Sequence, residues 1–230
     1  MITDNGWFLF QTFAMKHIIT LNFQLSTLNL QLSTYHNSQL STFNSKLMKT
    51  IAITLPYFFP DEASAINRLF ENGIDLLHLR KPDSQIDECR QLLEAVDKRW
   101  LKRIVVHDHF ELCNEFHLHG IHLNRRNNTV PANHHGSLSC SCHSLEEVVE
   151  RKPKMDYVFL SPIYDSISKQ GYHSAFSDEA LRQASAQGII DHKVVALGGV
   201  TRQRIPQLEE YGFGGAAMLG EMWKDIPELH

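Results

Sequence analysis

From Thr50 onward, eight short apolar runs alternate with segments of helical pattern, and this alternation constrains the fold more than any other feature of the chain. The runs predict strands at Thr50–Leu55, Leu76–Arg80, Ile104–Val106, Gly120–Leu123, Ser137–Cys142, Tyr157–Ser161, Val194–Leu197 and Gly215–Leu219. Between them, helices are expected over Asp61–Asn72, Ile86–Lys98, Phe110–Phe116, Ser144–Arg151, Ser177–Gln187 and Ile205–Tyr211, with a closing turn at Glu221–Lys224. Ser144 and Ser177 are placed as N-caps, and Glu147 completes a capping box with Ser144. Strands separated by helices imply a parallel sheet, because parallel neighbours need a crossover between them. Eight such units favour closure, so the expected class is α/β, a compact (β/α)8 TIM barrel. The connecting helices are expected to be short, and Asn124–His135 shows no convincing helix at all.

The last two runs end in glycine-rich turns, Leu197-Gly198-Gly199-Val200 and Met218-Leu219-Gly220. Glycine lets backbone N–H groups approach an anion without a Cβ in the way. Two such turns on the final strands of a barrel form the phosphate cup common in that fold. A phosphate-bearing ligand follows as an expectation.

The first 47 residues read differently. They carry three charged side chains and repeat Gln-Leu-Ser-Thr at residues 24, 31 and 39. Polar repeats bury too little apolar surface to offset chain entropy. Residues 1–47 are expected to be a low-complexity leader, disordered or upstream of a true start at Met48, with the barrel domain over 48–230. The apolar patch Trp7–Ala14 is too short to span a bilayer. A soluble, cytoplasmic protein is expected, and the net charge of −4 gives no reason to expect nucleic acid. The four cysteines are read as reduced thiols, with Cys140 and Cys142 facing away from each other.

In a barrel of this kind the chemistry sits at the C-terminal ends of the strands. Arg80 and Lys169 are candidate partners for a phosphate or diphosphate. Asp108 is a candidate divalent-cation ligand, or else a cap for the helix beginning near Phe110. Ser166 and Ser168 could donate hydroxyls to a phosphate. Of the histidines, His107-x-His109, His117-x-His119, His122, His134-His135 and His143 are read mostly as rim or surface groups, since no clear ligand set closes a metal site.

With these residues assembled, the chain from Ile51 to Trp223 resembles the thiamine phosphate synthase family and its relatives, the thiazole tautomerases. His78-Leu79-Arg80-Lys81-Pro82-Asp83 resembles the family's Gln-Leu-Arg-x-Lys-Asp, and Val106-His107-Asp108-His109 its Ile-Asn-Asp-Arg. Gly120-Ile121-His122-Leu123 is similar to Gly-Val-His-Leu, and Ser141-Cys142-His143 to Ser-x-His. The segment from Ser161 to Lys169 resembles Gly-Pro-Ile-Phe-x-Thr-x-Thr-Lys. The resemblance implies a barrel that joins hydroxymethylpyrimidine diphosphate to a thiazole phosphate, with Mg2+ and small-molecule phosphate substrates as its partners. It implies that Arg80 and Lys169 clamp the diphosphate and that Asp108 binds magnesium. It places Ser166, Ser168, Gly198, Gly199, Leu219 and Gly220 on the thiazole phosphate, and His78, His107 and Ser141 along the substrate. The sequence departs from the pattern at Pro82, where the family has lysine, and at Asn127, where it has a second metal aspartate. The tautomerases' histidine in the loop after the sixth strand has no counterpart in Ser161-Pro162-Ile163-Tyr164.

Overall fold

The structure is a computed structural model and describes residues 48–165, 175–224 and 226. The leader expected at 1–47 lies outside the described residues. Eight parallel strands close into a barrel in sequence order. They are β1 Lys49–Ile53, β2 Leu76–Leu79, β3 Ile104–Val106, β4 Gly120–Leu123, β5 Ser137–Cys142, β6 Tyr157–Leu160, β7 Val194–Ala196 and β8 Gly215–Met218. Closure is made by β8 against β1, with Lys49 opposite Gly215 and Ala52 opposite Met218.

Helices α1 Glu62–Glu71, α2 Ile86–Ala95, α3 Glu111–Glu115, α4 Leu145–Arg151, α5 Asp178–Ala186, α6 Ile205–Glu210 and α7 Gly220–Trp223 connect or follow the strands. As the sequence suggested, no helix lies between β4 and β5. Ser144 and Ser177 cap their helices, accepting from Glu147 N and Ala180 N at 3.2 Å each. The return half of the expected capping box falls one residue early, since Glu147 Oε2 accepts from His143 N.

Side chains in a strand alternate between two faces, so each strand feeds two cores. One face of Ala52, Leu77, Leu79, Ile104, Val106, Ile121, Val158 and Ala196 packs outward on Ile66, Leu69, Leu93, Leu112, Val148, Leu181 and Leu208 of the helices. The other face points into the barrel, where Ile51, Ile53, Leu76, Tyr157, Phe159, Val195 and Ala217 form a separate cluster. His78, His122 and Ser139 are buried as well. The interior is therefore apolar on one side and polar on the side of β2 to β5.

Cys140 and Cys142 correct the sequence reading. Being two apart on β5, they share a face, and both lie in the outer core rather than on opposite sides. All four cysteines are free and buried, as expected. Among the described residues, no helix is long and apolar enough to cross a membrane.

Candidate active site at the barrel mouth

The C-terminal strand ends surround a cavity of about 390 Å³ lined by Ile53, Arg80, His107, Ser141, Phe159 and Leu197, with Arg125, Arg126 and Arg151 at its edge. Arg80 is the first residue beyond β2. Its backbone is fixed by the buried Thr54, whose Oγ1 accepts from Arg80 N at 2.9 Å and donates to Arg80 O at 3.1 Å. Burial, and then the charge of Arg126, pull the guanidinium below its ordinary pKa, while Asp108 opposes them. It stays charged, as an arginine does in any protein environment.

Lys81 takes no part in this cavity. Its Nζ lies 2.7 and 2.8 Å from the Glu62 carboxylate oxygens, behind the strand, where both side chains are buried. One residue along a strand reverses the face, so Lys81 cannot stand in for the family lysine aligned with Pro82.

Asp108 and Asn127 are brought together, as the sequence implied. Asn127 Nδ2 donates to Asp108 Oδ1 at 2.9 Å and to His107 O at 3.2 Å. Arg126 Nη2 lies 3.1 and 3.3 Å from the two Asp108 oxygens. The alternative role of Asp108 as a helix cap is not taken: Phe110 occupies the cap of α3, with no side-chain bond.

Three histidines correct the sequence reading more substantially. His78, His107 and His122 are buried, and a ring nitrogen from each lies within 4.8 Å of the others. His78 Nδ1 is 2.9 Å from His107 Nε2, and His78 Nε2 is 2.8 Å from Tyr157 Oη. His122 is held at both nitrogens, by Ser139 Oγ and Ser141 Oγ, each at 2.9 Å. Desolvation drives His78 and His107 well below the ordinary histidine pKa, with His122 adding to it, and drives His122 down to about 3. The column is neutral near pH 7. His78 and His122 are each bonded at both ring nitrogens within the protein, and the His107 and His122 rings stack at 4.2 Å and 21°. His107 and Ser141 line the cavity, while His78 lies beneath it. Sequence reasoning missed His122, Tyr157 and Ser139 as parts of this network. Their inward register on β4, β6 and β5 was the available signal.

The glycine turns sit at the ends of the paired strands β7 and β8. Gly198 and Gly199 have φ of 92° and 61°. A Cβ on Gly199 would come 2.4 Å from Asp165 O. These glycines therefore let the loop after β6 close on β7, where Ile163 N donates to Leu197 O and Tyr164 N to Gly198 O. Leu219 is the N-cap of α7 and Gly220 its first residue. Ser166, Ser168 and Lys169 lie outside the described residues.

The family described as thiamine monophosphate synthase matches residues 51–222. A thiamine-phosphate synthase of Phocaeicola vulgatus is 26% identical over 188 residues, covering 75% of this chain and 90% of its own. One from Photorhabdus laumondii is 25% identical over 174 residues, covering 71% and 80%. The crystal structure of a thiamine phosphate pyrophosphorylase from Bacteroides thetaiotaomicron superposes with a TM-score of 0.72 at 45% identity, covering 79% of this chain and 91% of its own. A pyrophosphorylase from Pyrococcus furiosus shares the fold, with a TM-score of 0.61 at 19% identity. The strand order, the polar residues on the mouth and the match across the whole barrel agree, and this chain belongs to the thiamine monophosphate synthase family.

Proposed function

We propose that the protein is a transferase of thiamine biosynthesis that condenses hydroxymethylpyrimidine diphosphate with thiazole phosphate, giving thiamine phosphate and diphosphate. The observation that carries this reading is the gathering of Arg80, Asp108, Ser141 and the Gly198-Gly199 turn on one barrel mouth, in the family's order along the chain. Its partners are small phosphate and diphosphate substrates. The residues from Met48 onward form the working domain. A cytoplasmic setting belongs to this reading, since four free, buried thiols suit a reducing compartment.

In this reading Arg80 and Lys169 bind the diphosphate and stabilise its charge as the bond to the pyrimidine methylene lengthens. The Gly198-Gly199 turn, Leu219 and Gly220 bind the thiazole phosphate with Ser166 and Ser168, fixing the thiazole nitrogen for attack. Ile53, Phe159 and Leu197 wall the cavity with apolar surface and exclude water from the cationic methylene. His107 and Ser141 offer hydrogen bonds from an uncharged floor. A neutral imidazole there adds no repulsion to the positive charge that develops on the pyrimidine.

The resemblance also implies magnesium. Asp108 offers a carboxylate at the mouth, where Asn127 turns its amide nitrogen toward it. Magnesium is commonly held by one or two carboxylates together with substrate phosphates, so Asp108 fits an ion that arrives with the diphosphate. When bound, the ion would neutralise charge on the leaving group.

The test is direct detection of thiamine phosphate from the full chain, the two substrates and magnesium. Product supports the reading. Thiazole phosphate bound without product contradicts it and indicates a barrel whose chemistry has changed.

A further inference from the structure

Arg126 comes from the helix-free loop between β4 and β5, and the loop is fastened rather than loose. Asn124 Oδ1 accepts from Arg126 N at 2.9 Å and from Asn127 N at 3.2 Å, and Asn124 N donates to Asn127 O at 2.9 Å. Asn124 Nδ2 and Asn127 Nδ2 both donate to His107 O, at 2.8 and 3.2 Å. Two amides thus staple the loop to the end of β3, beside Asp108.

The stapling aims a guanidinium at the carboxylate. Arg126 Nη2 reaches both Asp108 oxygens, and Arg126 Nε lies 3.4 Å from Oδ1. Asn127 Nδ2 supplies a further donor to Oδ1. A carboxylate so surrounded has its charge compensated and its lone pairs directed at donors, which weakens its hold on a cation. The same Arg126 lines the mouth cavity with Arg80, and also a neighbouring depression with Asp83, Ser84 and Asp108. It therefore stands between the anion-binding arginine and the candidate cation ligand. A diphosphate beside Arg80 presents a multiply charged acceptor that matches a guanidinium better than a single carboxylate does.

We propose that Arg126 is a further residue of the diphosphate site, which exchanges Asp108 for the diphosphate when that ligand enters, so that a divalent cation and the diphosphate bind cooperatively. The proposal rests on reading the barrel mouth as a diphosphate site. Each ligand removes one side of the Arg126–Asp108 pair and so lowers the cost of binding the other; the coupling is reciprocal.

The test uses the full chain with Mn2+ alone, followed by the resonance of the free ion, and with inorganic diphosphate in EDTA, followed by calorimetry. Arg126→Gln should act in opposite directions on the two, binding Mn2+ at least about fivefold more tightly and metal-free diphosphate at least about fivefold more weakly. Arg125→Gln removes the same charge from the same loop without touching Asp108, and should leave Mn2+ binding within about twofold of the parent, since long-range charge at an exposed site is screened. Asp108→Asn added to Arg126→Gln should abolish the gain for Mn2+. An Mn2+ affinity unchanged in Arg126→Gln would overturn the proposal. An equal shift in Arg125→Gln would overturn it as well, reducing the effect to net charge. Neither measurement involves turnover, so this proposal and the coupling reaction can fail separately.

Discussion

His78 Nδ1 lies 2.9 Å from His107 Nε2 in the barrel interior, with His78 fully buried and His107 nearly so at the floor of the mouth cavity. The pair continues through His78 Nε2 to Tyr157, and the His107 ring stacks on His122. Neutral rings make all of these bonds when either His78 Nδ1 or His107 Nε2, but not both, carries the hydrogen between them, and a proton added to His78 would enter a site with no carboxylate partner among its bonds. Buried uncharged histidines make stability depend on pH in a definite direction.

The folded-state pKa values of His78, His107 and His122 lie below the unfolded value, His122 at about 3. As pH falls below about 6.5 the unfolded chain takes up protons that the folded chain refuses. The stability these groups contribute is complete above that value and is lost on the acid side. Between pH 7.5 and 5.5 the three together should cost about 4 kcal/mol, from linkage. Urea unfolding at the two pH values measures it. His122→Asn should remove about a third of the dependence, and an unchanged slope would contradict the burial assigned to His122.

The buried pair Lys81–Glu62 predicts a second stability effect. Burial pulls both groups toward their neutral forms, and hydrogen bonding between them opposes it. Glu62→Gln leaves an ammonium with no countercharge and should cost about 3–5 kcal/mol in urea unfolding. Replacing both with Glu62→Leu and Lys81→Met should recover most of that loss. A Glu62→Gln loss of less than about 1 kcal/mol would contradict the arrangement.

Gly199 has a φ of 61°, and a Cβ there would meet Asp165 O at 2.4 Å. Gly199→Ala should therefore cost about 1–2 kcal/mol for the left-handed backbone alone, with the contact adding to it. Pushing the β6 loop from β7 should also weaken thiazole phosphate, as titration would reveal. Parent-like stability and affinity would count against the turn as a tight phosphate cup.

Lys169 lies outside the described residues, and its role rests on the family pattern. Lys169→Ala should lower kcat/KM for the diphosphate substrate by about 100-fold or more, as loss of a clamp on developing charge does, with circular dichroism unchanged. A marginal effect would refute the carry-over in that loop.

Much of the barrel was legible in the sequence because each strand carries an apolar run between helical segments. The expected strands overran at Arg80, Ser161, Leu197 and Leu219, each one residue past the last residue of its strand, where the site begins. Alternation also told that Lys81 could not replace the residue at Pro82. What the sequence did not reveal arises only on closure. His78 and His122 lie on β2 and β4, distant along the chain, and neither has a helical or motif partner nearby; ring-to-ring contact comes from barrel geometry. Arg126 was silent for a related reason, because its aim is set by the amide bonds of Asn124 and Asn127 to the β3 end.

The most direct test of the central claim is the rate of thiamine phosphate formation by the full chain, wild type beside Arg80→Ala, at saturating thiazole phosphate and magnesium. The account predicts steady turnover in the wild type and a kcat/KM for the pyrimidine diphosphate lower by about 100-fold or more in the variant, since Arg80 meets charge that develops as the bond breaks. No thiamine phosphate from a folded wild type that binds both substrates, or equal turnover in the two proteins, would contradict it.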